Sequence, residues 1–181
     1  DLPSYDLEDL RPYVQFTDEA PDFHAFLEKF NFLRRFYSKR EAIERVAYEA
    51  VADAAADNVH YLELRFSPAT LAQNQGFSLD EVTRWVIRTV DQAQADFDIK
   101  TRLIVTLKRE ASYEQARQVA RVAFAHAGKG IVGLDLAGDE VNYPLEPFIE
   151  ILQDARREGL GVTVHAGEAT GATSVRRAIE E

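Results

Sequence analysis

The sequence predicts a (β/α)₈ barrel, of which these 181 residues cover about four βα units and the helices before them. Short apolar runs at about 59–66, 102–108, 131–137 and 161–165 alternate with helical stretches at intervals of roughly 30 to 40 residues, the pattern of βα units around a parallel sheet. Within each run the apolar residues keep one parity and the polar residues the other. The polar set also gathers toward the C-terminal ends of the runs, where barrels of this class hold their chemistry.

Residues 1–57 read as helical. Asp22 to Tyr37 is rich in aromatics, with Phe23, Phe26, Phe30, Phe32 and Phe36, a pattern that by itself reads as core packing. Ile43, Val46, Ala47, Ala50, Val51 and Ala54 recur at helical spacing. In the first predicted strand, Leu62, Leu64 and Phe66 share a face and Glu63 and Arg65 take the other. Ser78 with Glu81 opens a helix, as does Ser112 with Gln115, both with the signature of a capping box. Trp85 reads as packing in the first of these. Between them lies the second strand, with Leu103, Val105 and Leu107 on the apolar side and Thr106 and Lys108 opposite. The third strand sets Val132, Leu134 and Leu136 against Asp135. A helix from about Pro144 to Glu158 stops at Gly159, and the fourth strand places Val162 and Val164 opposite Thr163 and His165.

A doubly wound sheet produces the same alternation. Periodicity alone leaves that alternative open, and the missing glycine-rich turn counts against a dinucleotide-binding fold. A closed barrel needs eight strands and about 250 residues. The chain starts at Asp1 without a methionine and stops inside the amphipathic stretch Ser174 to Glu181, so an internal portion of a longer protein is expected.

Composition narrows the function. The formal charge of −10 disfavours a nucleic-acid partner held through phosphates. No apolar run reaches the roughly 18 residues of a membrane span and no signal pattern opens the chain, so no membrane partner is expected and the location is expected to be cytoplasmic. The absence of cysteine rules out a thiolate metal site in these residues, leaving histidine and carboxylate as metal donors.

The sharpest pair is His165 and Glu168. Gly167 lets the chain turn after the strand, so both can face one pocket: an imidazole as a zinc ligand and a carboxylate as a proton shuttle. The same spacing also fits an ordinary lumen histidine followed by a solvated glutamate. Asp135, Gly138, Asp139 and Glu140 form either a ligand-binding βα turn, with the Gly138 amide free to bond a ring nitrogen, or a plain acidic rim. Glu63 and Arg65 are expected to pair as a lumen salt bridge. His24, His60 and His126 read as structural or solvated.

Three segments in order, Tyr61-Leu-Glu-Leu-Arg-Phe-Ser-Pro68, Gly133-Leu-Asp-Leu-Ala-Gly-Asp-Glu140 and Thr163-Val-His-Ala-Gly-Glu168, resemble the adenosine deaminases of the amidohydrolase superfamily. Phe26-Leu-Glu-Lys-Phe30 and Glu41-Ala-Ile-Glu-Arg-Val-Ala-Tyr-Glu49 look like that family's N-terminal helices. The resemblance implies zinc-dependent hydrolytic deamination of adenosine, and of 2′-deoxyadenosine, to inosine and ammonia in purine salvage, with a purine nucleoside as the small-molecule partner. It implies His165 as a zinc ligand and Glu168 as proton donor to purine N1 while activated water attacks C6. Gly138 would bond purine N3 through its amide, and Phe26, Leu27 and Phe30 would form an apolar lid. Adenine deaminase, aminodeoxyfutalosine deaminase and a catalytically silent relative are the alternatives. The family's His-x-His pair is not in these residues, nor are its later histidine and Asp-Asp. The remaining zinc ligands are therefore expected outside this segment, and the segment alone is expected to be inactive.

Overall fold

The computed structural model describes residues 2–16, 22–73 and 76–181. Three helices come first: α1 (Leu7–Val14), α2 (Phe23–Leu33) and α3 (Arg40–Ala56). Asp6 and Asp22 cap the first two by accepting from otherwise unpaired first-turn amides. Of the stretch read as helical, residues 1 and 17–21 lie outside the described residues. The βα units follow: β1 (Tyr61–Phe66), α4 (Pro68–Gln73), α5 (Leu79–Asp96), β2 (Lys100–Lys108), α6 (Tyr113–Ala125) and β3 (Ile131–Ala137). A 3-10 turn (Glu146–Phe148) then leads into α7 (Ile149–Arg157), β4 (Gly161–Val164) and α8 (Ala172–Glu180).

Both expected capping boxes form, with Ser78 and Ser112 each exchanging hydrogen bonds with the residue three positions on. β1 begins two residues later than its apolar run, because the Val59 amide closes α3 by donating to the Ala54 carbonyl at 3.0 Å. The helix expected from Pro144 starts as a 3-10 turn instead, since Pro144 and Pro147 supply no amide donors.

The four strands pair in parallel in the order β1-β2-β3-β4. A doubly wound sheet would reverse its order at a switch point and bury both faces; here the order is sequential and the core lies on one face. That core joins Leu103, Val105, Leu107, Leu134 and Leu136 to Ile43, Ala47 and Val51 of α3, Val82, Val86 and Val90 of α5, Val119 and Ala120 of α6, and Ile151 and Leu152 of α7. Trp85 packs at its edge, with the Phe77 ring 5.0 Å away. The strands' other face carries the polar set, the arrangement of consecutive units in a (β/α)₈ barrel.

One strand face is corrected. Leu103 pairs with Ile131 but Ile104 with Gly133, so Val132 is the extra residue of a bulge. Ile131 therefore joins Leu103 in the core, while Val132, expected there, is only partly buried and outside it. Beyond the bulge the expected alternation holds, and Asp135 turns to the inner face opposite Thr106.

Candidate active site

At the inner face the side chains of β1, β3 and β4 meet on one carboxylate. Asp135 has no solvent exposure. Its Oδ1 accepts from Thr163 Oγ1 at 2.6 Å and lies 3.1 Å from His165 Nδ1, while Arg65 Nη1 is 3.4 Å from Oδ2. A buried carboxylate is stable only when its lone pairs are used in this way. Arg65 also contacts the His165 ring at Nε2. With Nδ1–H donated to Asp135, Nε2 is left as the acceptor, the tautomer that this network selects. The bond to Asp135 pushes the His165 pKa up, and Glu168 adds to this; burial and Arg65 oppose it. The expected Glu63–Arg65 bridge does not form. Arg65 reaches across the sheet to Asp135, whose burial makes it the stronger acceptor, and Glu63 accepts from the Tyr61 hydroxyl at 2.7 Å.

An imidazole whose second nitrogen is held by a carboxylate is oriented as metal-bound histidines are. His165 thus fits one place in a zinc donor set. Among the described residues no group of three or more histidine, cysteine, aspartate or glutamate side chains could hold a metal ion.

The loops past the strand ends complete the site. Gly138 follows β3 with φ +122°, and a Cβ there would come within 2.6 Å of Glu110 Oε2. Glu110 is held in that place by the Asp139 amide, which donates to its Oε1 at 3.0 Å. The Gly138 amide itself makes no hydrogen bond among the described residues. Arg109, buried at the end of β2, donates to the Tyr143 carbonyl at 2.9 Å and to the His165 carbonyl at 3.0 Å. Glu140, only 8% exposed, accepts from the amides of Gly167, Ala169 and Thr170 at 2.9, 2.5 and 3.0 Å. Burial pushes Glu140 up, but the three amides outweigh it and hold the carboxyl below its ordinary range. Glu168 stands exposed on this loop.

α2 lies across the same end of the sheet. Near its start, His24 Nε2 is 3.4 Å from Asp139 Oδ2. Just past its end, Arg34 is close enough to Lys108 to add to the burial that pushes that amine down to about 8, against the pull of Glu110. The aromatic stretch, read as core on pattern alone, buries no residue of α2. Phe26 and Phe30 pack edge to face at 5.1 Å while 41% and 48% exposed, and Leu27 is partly buried beside them. His126 is structural, with its Nε2 2.8 Å from Asp80.

The structure therefore brings His165, Glu168, Gly138, Phe26, Leu27 and Phe30 to one end of the sheet. Sequence reasoning missed Arg109, and it placed Glu140 in a turn that reads either as ligand-binding or as a plain acidic rim, without assigning its carboxylate a partner. Both act on backbone groups distant in sequence, which no local spacing reveals.

The whole chain, residues 1–181, matches the family model described as adenosine deaminase. It is 41% identical over 180 residues to an adenosine deaminase of Klebsiella pneumoniae, a match covering 99% of this chain and 54% of that protein. The chain thus spans about half the length of the curated relatives it matches. Among solved structures, an adenine deaminase from Arthrobacter aurescens superposes with TM-score 0.84 at 27% identity, over 99% of this chain and 53% of the other. An amidohydrolase from Burkholderia ambifaria, solved with bound zinc, shares the fold with TM-score 0.84 at 23% identity, over 97% of this chain and 48% of the other.

Proposed function

The chain belongs to the adenosine deaminase family, and on that premise we propose that the intact protein hydrolyses the 6-amino group of adenosine and 2′-deoxyadenosine, giving the inosine nucleoside and ammonia. A role in purine salvage in the cytoplasm is part of this reading. No helix of the described residues is long and apolar enough to cross a membrane. The observation that carries the reading is the buried Asp135 behind His165, at the strand ends where Glu168 and Gly138 also stand.

His165 would hold zinc together with donors outside these residues, and zinc, when bound, supplies a water activated near neutral pH. Asp135 keeps the His165 ring in the tautomer that offers Nε2. Glu168 gives its proton to purine N1 as the oxygen of water adds at C6, so the electrons of the N1=C6 double bond move onto N1. The new hydroxyl's proton then passes to the 6-amino group, which leaves as ammonia as C6=O forms, and the second water proton restores Glu168. The Gly138 amide donates to N3 and fixes the ring in its plane. Phe26, Leu27 and Phe30 cover the nucleoside and exclude bulk water, which strengthens each of these polar contacts.

A second reading, free adenine as substrate, is favoured by the likeness to the Arthrobacter adenine deaminase. The 41% identity to a named adenosine deaminase outweighs the 27% identity behind that likeness. Turnover of adenosine, 2′-deoxyadenosine and adenine by the intact protein decides between them. Adenosine is expected to be at least about a hundredfold better in kcat/KM than adenine. Equal or better turnover of adenine overturns the choice, and full activity in Glu168→Gln overturns the assigned proton donor.

A further inference from the structure

We infer that Glu140 is the positioning residue for the proton donor: its buried carboxylate is the template on which the loop carrying Glu168 is folded. The inference rests on the reading of Glu168 given above and adds what holds it in place.

The three amides on Glu140 belong to Gly167, Ala169 and Thr170. They lie on both sides of Glu168 and leave out Glu168 itself. Its side chain makes no hydrogen bond among the described residues and is exposed. The backbone of the donor is thus gripped through its neighbours, while its carboxyl stays free for a substrate. Three N–H groups converging on one anion form a nest. Here the anion belongs to the protein.

The rest of the loop is fixed to match. Arg109 holds the His165 carbonyl, so a cation takes the acceptor end of the segment and an anion takes its donors. At Gly167, φ is +84° and a Cβ would come within 2.5 Å of Val175 Cγ2, so the turn is set against α8 with no room for a side chain. Thr170 and Ser174 hydroxyls close the far end at 2.5 Å.

The three backbone groups facing the position are all donors, so it calls for an acceptor. Glutamine in place of Glu140 turns one end into an NH₂. If its oxygen keeps Ala169 and Thr170, the NH₂ meets the Gly167 amide donor to donor. Aspartate keeps both acceptors but is one methylene shorter. A displacement of about 1 Å at a reacting group costs on the order of a hundredfold in rate, so the loop need not unfold for catalysis to fail.

The test uses the intact protein, with kcat and KM for adenosine measured in Glu140→Gln, Glu140→Asp, Glu168→Gln and the double variant Glu140→Gln/Glu168→Gln. Glu140→Gln is expected to lower kcat by at least about tenfold with KM within about threefold, and Glu140→Asp to fall between it and the parent. In the Glu168→Gln background the same change is expected to cost less than about twofold, because the group it positions is gone. The affinity of an adenosine analogue with carbon at position 1, which offers no nitrogen to the donor, is expected to stay unchanged. A kcat within threefold of the parent, or an equal loss in both backgrounds, overturns the inference. Amide exchange of the unaltered protein tests it without any variant: Gly167, Ala169 and Thr170 should be protected and Glu168 should not. Uniformly fast exchange across the loop overturns it. A parent protein that deaminates no 6-aminopurine sinks the functional reading instead, with the exchange pattern still deciding what Glu140 does.

Discussion

Asp135 Oδ1 lies 3.1 Å from His165 Nδ1, and the carboxylate behind that contact has no exposure to solvent. The same oxygen accepts from Thr163, and its partner oxygen faces Arg65. Replacing Asp135 by alanine leaves the Thr163 hydroxyl without its acceptor and Arg65 without its counter-ion. About 2–3 kcal/mol of stability is expected to be lost, as for other broken buried networks. Denaturant melts of the intact protein measure this directly. Zinc affinity, measured by chelator competition, is expected to fall about 10- to 100-fold; an unchanged affinity would separate Asp135 from any metal role.

Gly138 and Glu110 yield a second expectation. Alanine at Gly138 meets the Glu110 carboxylate and takes a φ of +122° that side chains avoid. The strain is worth about 1–3 kcal/mol, and kcat/KM for adenosine is expected to fall with it. In Glu110→Ala/Gly138→Ala the overlap disappears but the backbone strain does not. The double variant is therefore expected to be less destabilised than the sum of the two single changes. Strict additivity in the melts would show that the overlap relaxes at no cost.

Local signals in this chain were legible and long-range ones were not. The serines at 78 and 112 announced helix starts because the box closes within four residues. Strand parity placed Asp135, Thr163 and His165 on one face because alternation is intrinsic to a strand. The bulge at Val132 escaped, since it exists only in the pairing of β3 with β2. The partner of Arg65 escaped for the same reason: Asp135 is 70 positions away, while Glu63 was near at hand. Glu140 was visible in its motif, but its acceptors' work on the Gly167, Ala169 and Thr170 amides required the fold. Short α4 passed unseen because six residues carry too little periodicity.

The lid reading makes a prediction of its own. Phe26 and Phe30 are 41% and 48% exposed, so truncating them removes little packing from the protein without ligand. Phe26→Ala and Phe30→Ala are each expected to change stability by no more than about 0.5 kcal/mol. Each is expected to raise KM for adenosine by about tenfold, the equivalent of about 1.4 kcal/mol of lost apolar contact. A fall in melting temperature with an unchanged KM would assign these rings to packing instead.

Lys108 supplies a prediction in pH. Burial, helped by Arg34, brings its pKa down from 10.5 to about 8, with Glu110 pulling the other way. A lysine lowered in the folded state binds fewer protons there than in the unfolded chain between about pH 8 and 10.4, so its contribution to stability rises with pH across that window. Below about pH 8 both states are protonated and the full cost of the buried charge is present. Methionine at this position is expected to remove that slope and to stabilise the protein near neutral pH by on the order of 1 kcal/mol, a figure reduced for solvent screening. Competitive acylation across a pH series checks the amine directly, because the midpoint of labelling reports its pKa whatever its accessibility. At pH 8 about half of Lys108 would be neutral, against under about 1% of a lysine with an ordinary pKa. A labelling midpoint near 10 would mean that the inner face solvates this charge fully. The stability slope would then have to come from another group.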